Sequence, residues 1–442
     1  AKLATWFGVE VNDEGRVVEL TLGSNNLQGA IPEALGDLSK LKAVSLHLNK
    51  LTGPIPPELG NLAALQHLKL AGNQLSGPIP PELGNLKTLE GLYLQSNKLS
   101  GPIPEALGAL SALEGLSLSF NELTGSIPKE LGALTELHRL FLNSNQLTGP
   151  IPPELGALSR QLALYLSNNE LTGEIPASLG QLSKLDSLYL YQNKLSGPIP
   201  PELGDLSALK VLHLGRNEFS GPIPKELGGL TDLKVLELDN NKLTGSIPTE
   251  LGALSELNKL RLSDNQLSGS IPKELGALSE LNKLRLSDNQ LSGPIPPELG
   301  NLGALKTLDL GINELTGPIP PELGNLGALK TLDLGINELT ENVPKELGAL
   351  NKLEQLWIGS NQLTGLWHAL GQDNARSMEA RPGTLPVPLA CLLDSLERLA
   401  HLGLAQNPWE YPPEAIMAGG IPAVRRYFEA IYMGGTTAVT RP

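Results

Sequence analysis

Side chains suited to binding a ligand recur along this 442-residue chain at a fixed step of 24 residues. Aromatic rings gather in the first half of the series and charged groups in the second half. Rings offer apolar contact area and charges offer ion pairs, so the series predicts recognition rather than covalent chemistry. It comprises Ser45, Lys69, Tyr93, Ser117, Phe141, Tyr165, Tyr189, His213, Glu237, Arg261, Arg285, Asp309, Asp333 and Trp357.

Frames for catalysis are missing from the sequence. There is no Gly-Lys dipeptide, and so no phosphate-binding loop of the GxxxxGK[ST] type. HExxH, CxxC and GxSxG are absent as well. Among the His residues, His47 and His67 lie in neighbouring repeats, and the others are too far apart along the chain to share a metal ion. We therefore predict a chain with no enzyme activity, no cofactor and no metal site.

An asparagine, the ladder Asn, follows four residues after each member of the series. Fifteen of them recur at the same step, from Asn25 to Asn361, in the frame LxxLxLxxNxLxGxIPxxLGxL. The LxL stretch has a period of two, which predicts a short strand whose Leu side chains point inwards. The residue between these Leu side chains must then point outwards. The sequence therefore predicts that the whole series lines one face of a sheet.

This frame resembles that of the leucine-rich repeat proteins, and its GxIPxxLG half resembles their plant-type subclass. The resemblance covers roughly residues 16–365. It implies an α/β solenoid: a right-handed coil with one parallel sheet on the concave face and short helical or 3-10 turns on the convex side. Stacked neighbours bury the apolar face that one repeat cannot bury alone.

The frame divides the chain into five segments. We predict an N-terminal cap at residues 1–19 and tandem repeats at 20–365. An irregular loop and short helix should follow at 366–395, then a last repeat at 396–412. A capping helix and linker should occupy residues 413–442.

Three irregularities interrupt the frame. Gln161 occupies a core Leu slot, and we predict that Leu162 shifts inwards to fill the core. Glu341 replaces the glycine of the bend. Cys391 lies in an apolar stretch, and we interpret it as a buried, inert thiol.

Two pairs of neighbouring repeats are nearly or wholly identical. Residues 293–316 and 317–340 have the same sequence, while residues 245–268 and 269–292 differ only at Thr249 and Lys273. Such copies indicate recent duplication of a unit. A solenoid tolerates an added unit because only contacts between nearest neighbours change.

Charge and cysteine content limit the partners and the compartment. The net charge of -14 disfavours nucleic acid and anionic membranes as partners. A single Cys cannot form a disulfide within the chain, and the sequence has no Asn-x-Ser/Thr glycosylation site. Together these features predict a cytoplasmic protein.

A second resemblance lies near the C-terminus. The NPW-x-x-PP-x-x-I run that begins at Asn407 resembles the boundary between repeats and GTPase domain in Roco-family proteins of algal type. It implies the sensor domain of an intracellular GTPase, with a role in pathogen recognition, whose catalytic part would follow Pro442. Two alternatives stay open: an extracellular receptor ectodomain, and a structural or consensus-designed scaffold with no ligand.

The predicted site is the outward face of the strands. We expect a monomeric domain that binds a protein or peptide there, with Tyr93, Phe141, Tyr165, Tyr189 and Tyr191 as the main contact patch. The charged part should steer the partner more than hold it. The remaining candidate residues are His47, His67, Lys69, His138, Arg139, His213, Glu237, Arg261, Arg285, Asp309, Asp333 and Trp357.

Overall fold

A computed structural model describes residues 6–366, 399–408, 414–419, 422–424 and 426–427. Its contacts divide the chain into two compact units, which we call the first block (Ala1–Leu233) and the second block (Lys234–Pro442). The same 24-residue coil builds both. The predicted loop and helix at 366–395, with Cys391, lie almost wholly outside the described residues, as does most of the predicted capping helix.

Each coil begins with a short strand of the first sheet, which is parallel apart from its first pairing. In the first block, β1 (Val9–Val11) pairs antiparallel with β2 (Val17–Thr21), and all later neighbours pair in parallel, one coil to the next. The further strands of the first sheet in this block are β4 (Ala43–Ser45), β6 (His67–Lys69), β8 (Gly91–Tyr93), β10 (Gly115–Ser117), β12 (Arg139–Phe141), β14 (Ala163–Tyr165), β16 (Ser187–Tyr189) and β18 (Val211–His213).

The second block continues the same pattern of short parallel strands. Alternation explains the burial, since the middle Leu is buried in every strand but the last, where Leu402 is partly buried, and the flanking residues point outwards. The strands of the first sheet in this block are β20 (Val235–Glu237), β22 (Lys259–Arg261), β24 (Lys283–Arg285), β26 (Thr307–Asp309), β28 (Thr331–Asp333), β30 (Gln355–Trp357) and β32 (His401–Gly403).

A second strand follows the ladder Asn in each coil. Its apolar residue, which is Leu in most coils and Phe219 in one, points inwards, and in most coils a glycine at positive φ ends the pairing or bends the chain. In the first block these strands are β3 (Gln28–Gly29), β5 (Lys50–Gly53), β7 (Gln74–Gly77), β9 (Lys98–Pro102), β11 (Glu122–Ser126), β13 (Gln146–Gly149), β15 (Glu170–Gly173), β17 (Lys194–Gly197) and β19 (Glu218–Pro222). In the second block they are β21 (Lys242–Gly245), β23 (Gln266–Gly269), β25 (Gln290–Pro294), β27 (Glu314–Pro318), β29 (Glu338–Val343) and β31 (Gln362–Leu366).

A 3-10 helix closes each coil from that of Asn25 to that of Asn337, as the PxxLG sequence predicts. In the coil of Pro56, this proline precedes the helix at φ -65° and ψ 130°, and Leu62 N–H donates to Leu59 O at its end. The helices are Glu33–Asp37, Pro57–Asn61, Pro81–Asn85, Glu105–Ala109, Lys129–Ala133, Pro153–Ala157, Ala177–Gln181, Pro201–Asp205 and Lys225–Gly229, then Thr249–Ala253, Lys273–Ala277, Pro297–Asn301, Pro321–Asn325 and Lys345–Ala349. A short α-helix, α1 (Glu414–Met417), lies near the C-terminus.

The ladder Asn residues join each coil to the one before it. Asn73 donates from Nδ2 to Leu70 O in its own coil and to Leu46 O in the preceding coil, both at 3.0 Å. Its Oδ1 accepts from Leu51 N–H, also at 3.0 Å. The amide therefore satisfies buried backbone groups that no strand reaches, as its place in the frame predicts.

The core is an almost uniform stack of Leu and Ile side chains, which Gln161 interrupts. Gln161 takes the Leu slot itself and is 0% exposed, whereas Leu162 is 36% exposed. The prediction that Leu162 fills the core is therefore wrong. Leu162 N–H donates to His138 O, and this bond holds the chain in register so that Leu162 points outwards.

The bend at Glu341 keeps the backbone shape of the glycine it replaces. Glu341 has a φ of 64°, close to the 75° of Gly317 one coil earlier. The pairing of β29 with β31 shifts register between Glu341 and Asn342, so a bulge accompanies the substitution. A side chain in this left-handed region costs free energy that glycine avoids.

The last repeat restores the frame after residues 367–398. Strand β32 pairs in parallel with β30, and Leu402 lies opposite Leu356. Asn407 donates to Ile358 O and accepts from Leu363 N–H, as a ladder Asn does. Leu399, Leu404 and Asn407 of this repeat are buried, whereas Leu402 is partly buried.

Candidate functional site

The candidate site is the outward side of the first sheet, here called the strand face. On β6, Leu68 is buried, while His67 and Lys69 on either side of it point outwards. Parallel pairing in register places equivalent residues of neighbouring coils side by side, about 4.8 Å apart. A series with a 24-residue step thus becomes a row across the strands.

Five rings of the first block form one continuous cluster on the strand face, which we call the aromatic ladder. Phe141 lies 4.7 Å from Tyr165, and Tyr165 lies 4.5 Å from Tyr189, measured between ring centroids. Tyr191 projects from the same coil as Tyr189. The rings of Tyr191 and His213 are stacked, with their centroids 4.2 Å apart and an interplanar angle of 16°. The ladder therefore spans four neighbouring strands, β12 to β18.

Mutual packing holds the ladder in place. Each of the five rings is partly buried, and the Tyr165–Tyr189 and Tyr189–Tyr191 pairs meet edge to face. Such offset and edge-to-face contacts are the favoured geometries for aromatic pairs. Asn168 Nδ2 donates to the Tyr191 hydroxyl at 3.2 Å, and this hydrogen bond further fixes the Tyr191 ring. The surface is thus ordered before any ligand arrives, which lowers the entropy lost on binding.

Tyr93 stands apart from the ladder, contrary to the five-ring patch predicted from the sequence. Strand β10 lies between Tyr93 and Phe141, and its outward residue Ser117 is small and buried. The Tyr93 ring lies flat over Gly91 and Gly115: a Cβ on Gly115 would come within 2.8 Å of the Tyr93 hydroxyl. His213 takes the fifth place in the cluster instead.

The other first-block candidates lie at the margins. His47 Nδ1 lies 2.9 Å from Ser45 Oγ, whereas His67 Nε2 lies 3.7 Å from Glu90 Oε2. The two His residues thus have different partners. Lys69 and Arg139 are exposed, and His138, which is partly buried, lies just before β12 beside the ladder.

Four exposed apolar residues were missed at the sequence level. Each directly precedes a ladder Asn and has a φ of 53° to 54°, in the left-handed region. Most coils place a polar residue there, so an apolar residue at this slot was the available signal. The four are Leu48, Phe120, Ile312 and Ile336, with exposures of 62%, 58%, 46% and 54%.

The strand face of the second block is a network of opposite charges. Glu237 is only 5% exposed, and Lys259 Nζ lies 3.3 Å from its Oε1. Arg261 donates to Asp239 at 3.0 Å and lies 3.7 Å from Glu237. These pairs leave little unpaired charge on β20 and β22.

The outward charges are basic on β24 and acidic on β26. Arg285 Nε lies 4.0 Å from Asp309 Oδ2, and the Ser287 hydroxyl donates to the same oxygen at 3.0 Å. Burial raises the pKa of Asp309, against the opposing effects of Ser287 and Arg285. Burial, followed by the charge of Arg285, lowers the pKa of Lys283.

Acidic and aromatic groups end the series. Burial raises the pKa of Asp333, although its Oδ1 accepts from Gly335 N–H at 2.9 Å. Trp357 is 40% exposed and stacks on His401 at 6.1 Å. Arg285 therefore lies beside Asp309, while Arg261 pairs with Glu237 and Asp239.

Neither a metal-binding cluster nor a membrane-spanning helix lies within the described residues. They contain no group of three or more His, Cys, Asp or Glu residues that could hold a metal ion. Within the same residues, no helix has the length and apolar character needed to cross a bilayer.

The repeats match known sequence families directly. Residues 15–149 match a leucine-rich repeat region. Single leucine-rich repeats match at residues 163–182, 184–206, 208–230, 232–254, 256–278, 280–302 and 304–326. The chain belongs to the leucine-rich repeat proteins. No curated protein sequence matches it.

Solved structures place the chain more closely within this class. The plant peptide hormone receptor RGFR1, in complex with RGF2, is 36% identical with a TM-score of 0.82; the match covers 92% of this chain and 61% of that one. The ectodomain of the Arabidopsis thaliana membrane receptor kinase GASSHO1/SCHENGEN3, in complex with CASPARIAN STRIP INTEGRITY FACTOR 2, is 34% identical with a TM-score of 0.65, covering 88% and 53%. A leucine-rich repeat protein from Leptospira interrogans is 34% identical with a TM-score of 0.66, covering 91% and 94%.

Proposed function

We propose that this chain is a recognition module that binds a protein or peptide on the aromatic ladder. The observation that carries the proposal is the ladder itself, five partly buried rings in contact across four strands. Rigid aromatic side chains are the commonest energetic anchors of protein interfaces. Rings already packed on one another lose little freedom when a ligand covers them.

The similar structures support a receptor role more than the Roco role. Three of them are described as plant receptors for a peptide hormone or in complex with one. The chain covers 61% of RGFR1 and 64% of a TDR receptor, so a role as the ligand-binding part of a larger receptor is the version we favour. None of the described similar structures is a GTPase. The cytoplasmic location predicted from the single Cys stays a prediction.

The test begins with ligands that are chosen without bias. Peptides selected from a random displayed library on the intact chain would be measured by calorimetry against the wild type and the Tyr165→Ala/Tyr189→Ala variant. We expect the double variant to bind tenfold to a hundredfold more weakly, since two anchors are lost. Thermal unfolding of the same samples shows whether the fold survives.

Tyr93→Ala provides a matched control, because Tyr93 occupies the same slot but stands outside the ladder. It should bind within about twofold of the wild type, as expected for a residue off the hot spot. Equal losses in both variants, or no loss in the double variant, would refute the proposed site.

A further inference from the structure

We propose that the aromatic ladder takes a proline-rich segment in the polyproline II conformation, lying across the strands. This inference rests on the proposed function and names the chemical class of its ligand. It follows from the spacing of the rings, from the absence of charge between them and from the hydrogen bonds that this conformation leaves open.

The spacing of the aromatic rings fits the repeat of polyproline II. Ring centroids of Phe141, Tyr165 and Tyr189 follow one another at 4.7 and 4.5 Å, close to the spacing of the strands that carry them. Two strand spacings amount to about 9.6 Å. One turn of polyproline II, three residues, advances about 9.3 Å. Every third residue of such a segment would therefore meet every second strand, with Phe141 and Tyr189 in equivalent positions.

Other peptide conformations fit this spacing less well. In an extended strand, the side chains of one face recur about every 6.8 Å, which matches neither one nor two strand spacings. An α-helix repeats every 5.4 Å and drifts by about 0.6 Å at each strand. Over the length of the ladder, the repeat of polyproline II stays closest to a multiple of the strand spacing.

The charge of the surface supports the same class. On strands β12 to β18, the outward residues beside the rings are Ala163, Ser187, Val211 and Arg139, and only Arg139 carries a formal charge. A surface of rings and small side chains with a single charged neighbour suits an uncharged ligand that presents flat pyrrolidine rings.

Hydrogen bonds and conformational entropy favour the same class of ligand. A polyproline II segment has no internal hydrogen bonds, so its carbonyl groups are free to accept. The hydroxyl groups of Tyr165 and Tyr191 lie along the ladder and can donate to them. Proline also restricts the free peptide, so little conformational entropy is lost on binding.

The experiment uses four repeats of Pro-Pro-Gln, blocked at both ends and labelled with a fluorophore. Fluorescence anisotropy would be measured with the whole chain, and we expect saturable binding. Tyr165→Ala/Tyr189→Ala should weaken it at least tenfold, whereas Tyr93→Ala should stay within twofold.

Two matched peptides test the conformation itself. The all-D peptide has the same composition and the opposite helical hand, and four repeats of Ala-Ala-Gln remove the pyrrolidine rings. Both should bind at least tenfold more weakly than the L-proline peptide. Equal binding by either one overturns the inference.

The outcome also separates this inference from the proposed function. If library-selected peptides without proline depend on Tyr165 and Tyr189 while the Pro-Pro-Gln peptide fails to bind, the inference is wrong and the recognition site stands. If neither class of peptide depends on these two rings, both proposals fail.

Discussion

The two blocks share one frame and present different strand faces. In the first block, Phe141, Tyr165 and Tyr189 pack on one another without a formal charge in the row. In the second block, the same slots hold Arg261 and Asp309, bound into ion pairs and hydrogen bonds with their neighbours. The buried Leu and ladder Asn residues hardly differ between the blocks.

This contrast teaches how the fold separates stability from recognition. Inward slots and the ladder Asn fix the coil, so the outward slots are free to vary without disturbing it. Apolar rings hold a partner by excluding water, whereas paired charges mainly orient it and are weakened by salt. We therefore expect affinity to depend on the first block and charge selectivity on the second.

The largest effect should come from breaking what the blocks share. Asn217→Ala in the first block and Asn313→Ala in the second each remove one accepted and three donated hydrogen bonds, at 3.0 to 3.3 Å. Each should lower the free energy of unfolding by about 3 kcal/mol, since buried backbone groups lose their partners. Denaturant unfolding followed by circular dichroism measures both. Exposed Asn258→Ala should change little, and unequal losses at the two ladder positions would show that the frame is not equivalent in the two blocks.

A smaller gain should come from repairing the flaw that distinguishes the first block. Gln161 Nε2 donates to Ala163 O, but its Oε1 is buried without a hydrogen-bond partner among the described residues. Gln161→Leu restores the side chain found at Leu137 and Leu185, and it should stabilise the protein by about 2 kcal/mol. Thermal unfolding checks the gain. Exposed Gln181→Leu is the control and should give none; destabilisation by Gln161→Leu would mean that the slot has adapted to the amide.

A pH-dependent effect of at most about 1 kcal/mol should distinguish the second block. Because burial raises the pKa of Asp333 above its usual 3.8, the folded chain binds its proton more tightly than the unfolded chain does. Its unfavourable contribution is therefore largest at neutral pH and disappears as the pH falls towards 3.8. Asp333→Asn should raise the melting temperature at pH 7, and the gain should shrink on acidification.

The exposed neighbour Glu338 supplies the control for this titration. Glu338→Gln removes an exposed charge from the same coil and leaves the buried carboxylate in place, so it should leave the melting temperature nearly unchanged. A gain from Asp333→Asn that persists at low pH would show that the amide acts by something other than the lost charge.

The smallest effect should follow the largest change in sequence. Deleting residues 293–316 leaves their copy, residues 317–340, and every new junction already exists in the chain. We expect the shortened protein to melt within a few degrees of the original, because only nearest-neighbour contacts matter. Deleting the half-repeat 305–316 is the control and should abolish the cooperative transition. Loss of cooperativity in the full deletion would contradict the model of interchangeable repeats.

Most of the frame could be predicted from the sequence because its period fixes which residues face inwards. Strand positions, 3-10 turns and ladder Asn residues all follow from the 24-residue step. The fate of Gln161 did not follow, since hydrophobicity favoured Leu162 for the core. Strand register decided the matter, because a slip by one residue would have turned a whole strand over.

The site was predictable only in part, for a local reason. The step placed Phe141 and Tyr165 side by side, but it could not show that Ser117 and the glycines beneath Tyr93 isolate that ring. Phe120 was missed because its slot lies in a left-handed turn rather than on a strand. Contact between rings depends on side-chain directions that spacing alone does not give.

The asparagine ladder also has a mechanical consequence. Each ladder amide joins one coil to the preceding one. Tension applied at the chain ends should therefore unfold the coils one at a time. A released coil of 24 residues adds about 80 Å of extended chain. Under load, either block should lengthen in regular steps of that size and thereby dissipate mechanical work.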